Sequence, residues 1–315
     1  MNYLHFFCSG LSGLIYQVVW VRVFGNVFGN TVYSASLVVA VFMLGLGVGG
    51  YVVGRVADRW YANRTVSLLR AYAYIELTIA LMGLGIALLL PNLGRVSAMV
   101  SSYSLDATGW YVLSTTSYLA RAAIAIVVLS PITLLMGGTL TLLIRHLVRS
   151  DLNIGGWRIA ALYAVNTFGA AAGAFLTDFL LVPAVGVRAT QLIAVAFNLI
   201  AGAGAVYLAR KVRLPSLPLR PGKHAPSARP STSSGRAVEG PDPTYALALT
   251  ALALAMSGFA AMGMEILWFR HLTILLGGFR SVFSLLLTVI LLGIGAGSLL
   301  SGLLYRGRER SAQWL

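Results

Sequence analysis

Residues 9–22 read SGLSGLIYQVVWVR and residues 257–270 read SGFAAMGMEILWFR, one frame written twice at an offset of 248. Each is an apolar run carrying a single polar residue near its middle, Gln17 in the first and Glu265 in the second, and each closes on Trp-x-Arg. The register persists beyond the quoted run. Without a gap, residues 9–54 match 257–302 at 13 of 46 positions, among them Ser9, Trp20, Arg22, Gly29, Ser36, Gly45, Gly49 and Gly54. Each copy is long enough for two helices and the loop between them, so the chain repeats its opening pair.

Composition says in which solvent that repeat folds. Hydrophobic residues are 58% of the 315 and charged residues only 10%. Soluble domains carry about 25% charge, so these side chains are too few to cover a water-facing surface. The fold class this implies is an all-α polytopic membrane bundle of about eight transmembrane helices. Apolar segments run over 3–22, 32–53, 67–90, 116–144, 159–182, 189–209, 245–269 and 282–304. Pro131 predicts a kink in the fourth, and Pro91 and Pro183 read as terminators at segment ends. The first segment follows no Lys or Arg and is too long for a cleavable leader, so it reads as a retained helix.

The formal charge of +14 is divided into short clusters at segment ends. That pattern belongs to membrane loops rather than to a nucleic-acid groove, which would show a continuous basic stripe with aromatics. With eight spans, 17 of the 23 Lys and Arg fall on one side, and the positive-inside rule makes that side cytoplasmic together with the N-terminus. The organisation is then a six-helix half (1–209), a Pro-, Ser- and Arg-rich linker read as disordered (210–244), two helices repeating the first two (245–304), and a basic tail (305–315).

Several chemistries have no residues to carry them. Cys8 is the single cysteine, no Cys or His spacing suits a metal, and no hydrolase elbow or paired-carboxylate site is recognisable. The strings GLGVGG (45–50) and GIGAG (293–297) lie inside apolar spans, where small-xxx-small spacing such as Gly45/Gly49 and Gly293/Gly297 lets helices approach closely. They are not nucleotide loops, and no cofactor is expected.

Both copies of the repeat start on the same side, an arrangement similar to the parallel halves of major facilitator transporters, with the second half incomplete. Gly54-x-x-x-Asp58-Arg59 resembles the first part of that family's cytoplasmic gating motif, in which the acid ion-pairs a neighbouring helix end. The following Gly-Arg-Arg is replaced by Trp60-Tyr61-Ala62. Four stretches together, SGLSGLIYQVVWVR (9–22), LGLGVGGYVVGRVADR (44–59), SPITLLMGGTLTLLIR (130–145) and ALYAVNTFGAAAGA (161–174), resemble the membrane domain of the bacterial fused facilitator-like/spermidine synthase proteins. The resemblance implies a multi-pass protein of the bacterial cytoplasmic membrane. It also implies a companion aminopropyltransferase domain whose catalytic residues have no counterpart in these 315 residues. Possible partners are therefore the lipid bilayer, a separate aminopropyltransferase chain, or further helices completing the second half.

Polar residues at membrane depth are expensive and become the candidate site. Gln17, Arg121 and Glu265 lie on segments one, four and seven, which line the cavity in a facilitator. Arg121 is expected to pair with Glu265 while Gln17 offers a neutral hydrogen bond. Glu76 and Asp178 rank below them, and Asn166 reads as an interhelical hydrogen bond. Arg22 and Arg270, beside Trp20 and Trp268, read as interfacial anchors. Three functions remain open: the non-catalytic membrane module of a spermidine-synthase-like protein, part of a transporter for a small solute such as a cationic polyamine, or a membrane scaffold.

Overall fold

The structure, a computed structural model, describes residues 2–29, 32–63, 67–105, 107–147, 152–211, 243–277 and 281–312. Most of the expected linker lies outside them. Among the described residues eight α-helices carry the fold: α1 (Asn2–Phe28), α2 (Val32–Asn63), α3 (Leu68–Met99), α4 (Thr115–Leu147), α5 (Leu152–Leu176), α6 (Val182–Lys211), α7 (Pro243–Leu276) and α8 (Ser281–Ala312). A one-turn π-segment, Thr177–Leu181, joins α5 to α6. A short antiparallel hairpin, Tyr103–Leu105 with Tyr111–Leu113, joins α3 to α4 and was not legible in the sequence. Among the described residues seven helical stretches are long and apolar enough to cross a membrane. In water this apolar surface would be untenable, and the chain is a multi-pass membrane bundle.

One of those stretches, Gly156–Lys211, is 56 residues long, about 84 Å of helix against a hydrocarbon core of about 30 Å. It is two crossings. The break is Gly186, at φ 79° and ψ 168°, a conformation open to glycine alone. Gly169 and Gly204, nearly equidistant from it, pack against Phe7 and His5 on the same turn of α1, so the chain reverses at Gly186. Pro183, read as a terminator of the fifth span, lies three residues before that break, at the end of the helical run that enters it. Pro91 and Pro131 lie inside continuous helices. Helix α8 runs on through most of the basic tail, to Ala312.

The repeat is visible in the backbone. α1 ends at Phe28 and α7 at Leu276, and the next residues, Gly29 and Gly277, both take positive φ, 99° and 84°. A glycine in that conformation just past a helix end stops the helix and reverses the chain. The offset of 248 thus holds at the turn as well as in the letters.

Packing within the first six helices is paired: α1 on α5, α2 on α4, α3 on α6, with α1 also touching α6 and α3 touching α4. Exchanging α1 with α4, α2 with α5 and α3 with α6 maps this set onto itself. Units of three helices cross the membrane in opposite senses, so the exchange relates two inverted halves. Of the repeated pair, α8 packs along α5, whereas α7 touches little besides α8 and presents most of its surface outward.

The close seams are built by glycine. A Cβ on Gly10 would strike the Asn166 carbonyl, and one on Gly169 or Gly173 would strike the carbonyl of Phe7 or Leu11, which joins α1 to α5. Gly45 and Gly49 meet Thr133 and the Leu134 carbonyl, and Gly137 meets the Leu46 carbonyl, which joins α2 to α4. Asn166 therefore contributes its backbone to the seam. In the second copy Gly293 and Gly297 face open space, and the contacts of α8 come from Gly295 on Phe168 and Gly302 on Trp157.

Candidate functional site

The most enclosed polar centre lies where α1, α3 and α6 meet. Glu76 is fully buried. Ser9 donates to its Oε1 at 2.6 Å, and Asn198 Nδ2 donates to Oε2 at 2.7 Å. The Tyr72 hydroxyl also faces the carboxyl. No cation pairs with it among the described residues. A carboxyl held by neutral donors alone is a place where a proton or a small cation can reside, because nothing else compensates its charge. Sequence order had ranked Glu76 low for its peripheral helix; the packing makes it the centre of a three-helix junction.

The second centre joins the two parts of the chain. Arg22 Nε lies 2.5 Å from Asp178 Oδ1, and Ser284 of α8 donates to Asp178 Oδ2. Asp178 stands in the π-segment, whose extra residue per turn re-aims side chains and recurs at functional sites. This corrects the anchoring role expected of Arg22. Its neighbour Trp20 is fully buried and stacked on Tyr16 at 5.3 Å, so it is core rather than interface. Ser284 was missed as a candidate, although the repeat had marked it as the counterpart of Ser36.

The pair expected between Arg121 and Glu265 does not form. Arg121 donates from Nη1 to the Phe28 carbonyl and from Nη2 to Ser101 Oγ, both at 2.9 Å, with its guanidinium 5.6 Å from the Phe28 ring centre. It binds the end of α1 to the segment after α3, near one end of the bundle. The reason is register: Arg121 lies six residues into α4, beside the end of α1, whereas Glu265 lies eleven residues before the end of α7.

Glu265 is buried, and its Oε1 has no hydrogen-bond partner among the described residues. It lies on the α7 face that carries Met262 and Phe269, which pack with Val18, Val39, Phe283 and Leu287. Gln17, one position from Val18, is fully buried, and neither of its amide atoms has a partner. Gln17 and Glu265, the mid-segment polar residues of the two copies, are thus both buried with unused hydrogen-bonding capacity among the described residues.

At the basic end, Asp58 of α2 pairs with Arg145 Nε of α4 at 3.0 Å. Gly54, one turn earlier, lies against the Thr141 methyl, and Arg59 is exposed. The acid therefore reaches the end of a neighbouring helix. Among the described residues no group of three or more His, Cys, Asp or Glu could hold a metal. No family model, curated protein or solved structure matches the chain.

Proposed function

We propose that these residues form the integral-membrane module of a spermidine-synthase-like protein, built on facilitator-type architecture and holding no aminopropyl-transfer chemistry of its own. The observation that carries this reading is how the four motif stretches pair. SGLSGLIYQVVWVR meets ALYAVNTFGAAAGA across the Gly10, Gly169 and Gly173 seam, and LGLGVGGYVVGRVADR meets SPITLLMGGTLTLLIR across Gly45, Gly49 and Gly137. The resemblance thus rests on residues that build the body of the bundle. The paired helix packing and the Gly29/Gly277 turns support the facilitator arrangement. Arg55, Arg59, Arg70, Arg145 and Arg210 at one end support a cytoplasmic N-terminus in a bacterial inner membrane.

A soluble aminopropyltransferase-like domain supplies the test. It should co-sediment with proteoliposomes carrying this chain and form aminopropylated product there, while the chain alone forms none. Equal sedimentation with empty liposomes would refute the module.

A second reading, cation passage, is favoured by Glu265 and Gln17, two buried residues whose polar atoms lack hydrogen-bond partners among the described residues. Here the carboxylate meets an ammonium of a polyamine and the amide offers a neutral contact. Reconstituted protein should take up labelled spermidine, and Glu265→Gln should abolish uptake. Uptake indifferent to that substitution, or none with any polyamine, removes this reading.

A further inference from the structure

At the basic end of the bundle, α3 begins where α6 finishes. Arg70 and Tyr74, one turn apart on α3, line a cleft of about 260 Å³ together with Val206 and Arg210, one turn apart on α6. Arg70, Tyr74 and Arg210 are exposed, and neither arginine forms an ion pair among the described residues. Lys211, lying 4.6 Å over the Tyr207 ring, adds a third cation at the same edge. Like charges brought to one cleft repel each other, and an anion seated between them would relieve that cost.

The cleft also has a depth profile. At 1.5 Å per residue, Tyr74 and Val206 lie about 6 Å deeper than the arginines. Leu81 and Leu199, seven residues further along the same helix faces, lie about 16 Å deeper than the arginines. Both leucines are exposed, 69% and 47%. From the rim inward, the surface passes from guanidinium to phenol to hydrocarbon. A phospholipid has the same order of polarity: phosphate, glycerol ester, acyl chain. Arginine matches phosphate oxygens through paired N–H donors, and basic pockets between spanning helices suit anionic headgroups.

We propose that Arg70 and Arg210 bind the phosphate of an anionic phospholipid, whose glycerol meets Tyr74 and whose acyl chain lies between the α3 and α6 faces that carry Leu81 and Leu199. A free phosphate shares the headgroup chemistry but leaves the apolar half of the cleft unused.

The full chain, wild type and R70Q/R210Q, is compared by native mass spectrometry for retention of phosphatidylglycerol against phosphatidylcholine. Wild type should prefer phosphatidylglycerol. The double variant should bind it about thirtyfold more weakly, from about 1 kcal/mol per basic residue at about 1.4 kcal/mol per tenfold. Each single variant should lose about fivefold, which keeps the test available if the double variant folds poorly. R95Q/R188Q, altered at the opposite end, should bind like wild type. Unchanged retention in R70Q/R210Q, or an equal loss in R95Q/R188Q, overturns the site. Displacement of phosphatidylglycerol by inorganic phosphate at matched concentration overturns the lipid as its ligand.

Discussion

Arg22 and Asp178 are ion-paired at 2.5 Å across 156 positions of sequence, and the same carboxylate accepts a hydrogen bond from Ser284 of α8. One acid therefore connects α1, the π-segment and the repeated pair. Removing one member leaves the other charged and largely enclosed. Arg22→Gln and Asp178→Asn should each destabilise the bundle by about 3 kcal/mol, read as a lowered melting temperature in detergent. The double variant R22Q/D178N should lose less than the two singles combined. Strict additivity would mean that the pair is not coupled.

Glu76 should distinguish shape from charge. Glu76→Gln keeps an acceptor for Ser9, so its cost should stay under about 1.5 kcal/mol. Glu76→Ala strands both Ser9 and Asn198 and should cost about 2–6 kcal/mol at about 1–3 per abandoned group. Comparable melting temperatures for the two variants would show that the hydrogen bonds do not support the junction.

The glycines divide into seam and bystander. A methyl added at Gly49 meets the Leu134 carbonyl and one at Gly10 the Asn166 carbonyl, whereas Gly47 and Gly13 have nothing within 4 Å of the added atom. Gly49→Ala and Gly10→Ala should lower the yield of monodisperse protein severalfold. Gly47→Ala and Gly13→Ala should leave it unchanged or improve it, since alanine favours a helix by about 1 kcal/mol over glycine. The profile in size-exclusion chromatography decides.

Asp58 and Arg145 are 66% and 40% exposed at their side chains, so solvent screens most of their attraction. Asp58→Asn should shift stability by less than about 1 kcal/mol. If the pair holds one arrangement of α2 against α4, however, a cysteine placed at Thr141 should label faster in that variant. A large stability loss with unchanged labelling would make the pair structural and not a latch.

Much of the architecture was legible because the membrane imposes simple rules. Apolar length marked the spans, and the fixed offset marked the repeat, down to the turn glycines. Proline was legible only in part. Pro91, read as a terminator, lies inside a helix that runs on to Met99, whereas Pro183 lies three residues before the reversal, which Gly186 makes.

For the polar centres, the sequence by itself determined which residues lie in costly positions: Gln17, Glu76, Arg121, Asp178 and Glu265 were all identifiable from charge set against apolar context. Their partners were decided only by tertiary packing. Arg22 was assigned to the lipid interface and Arg121 to Glu265, whereas packing gives Arg22 to Asp178 and Arg121 to the Phe28 carbonyl and Ser101. The reason is geometric. A helix places a side chain at a depth and an azimuth, and sequence reports depth to within a turn or so. Azimuth becomes a contact only when another helix arrives, and the glycine seams set which helix that is.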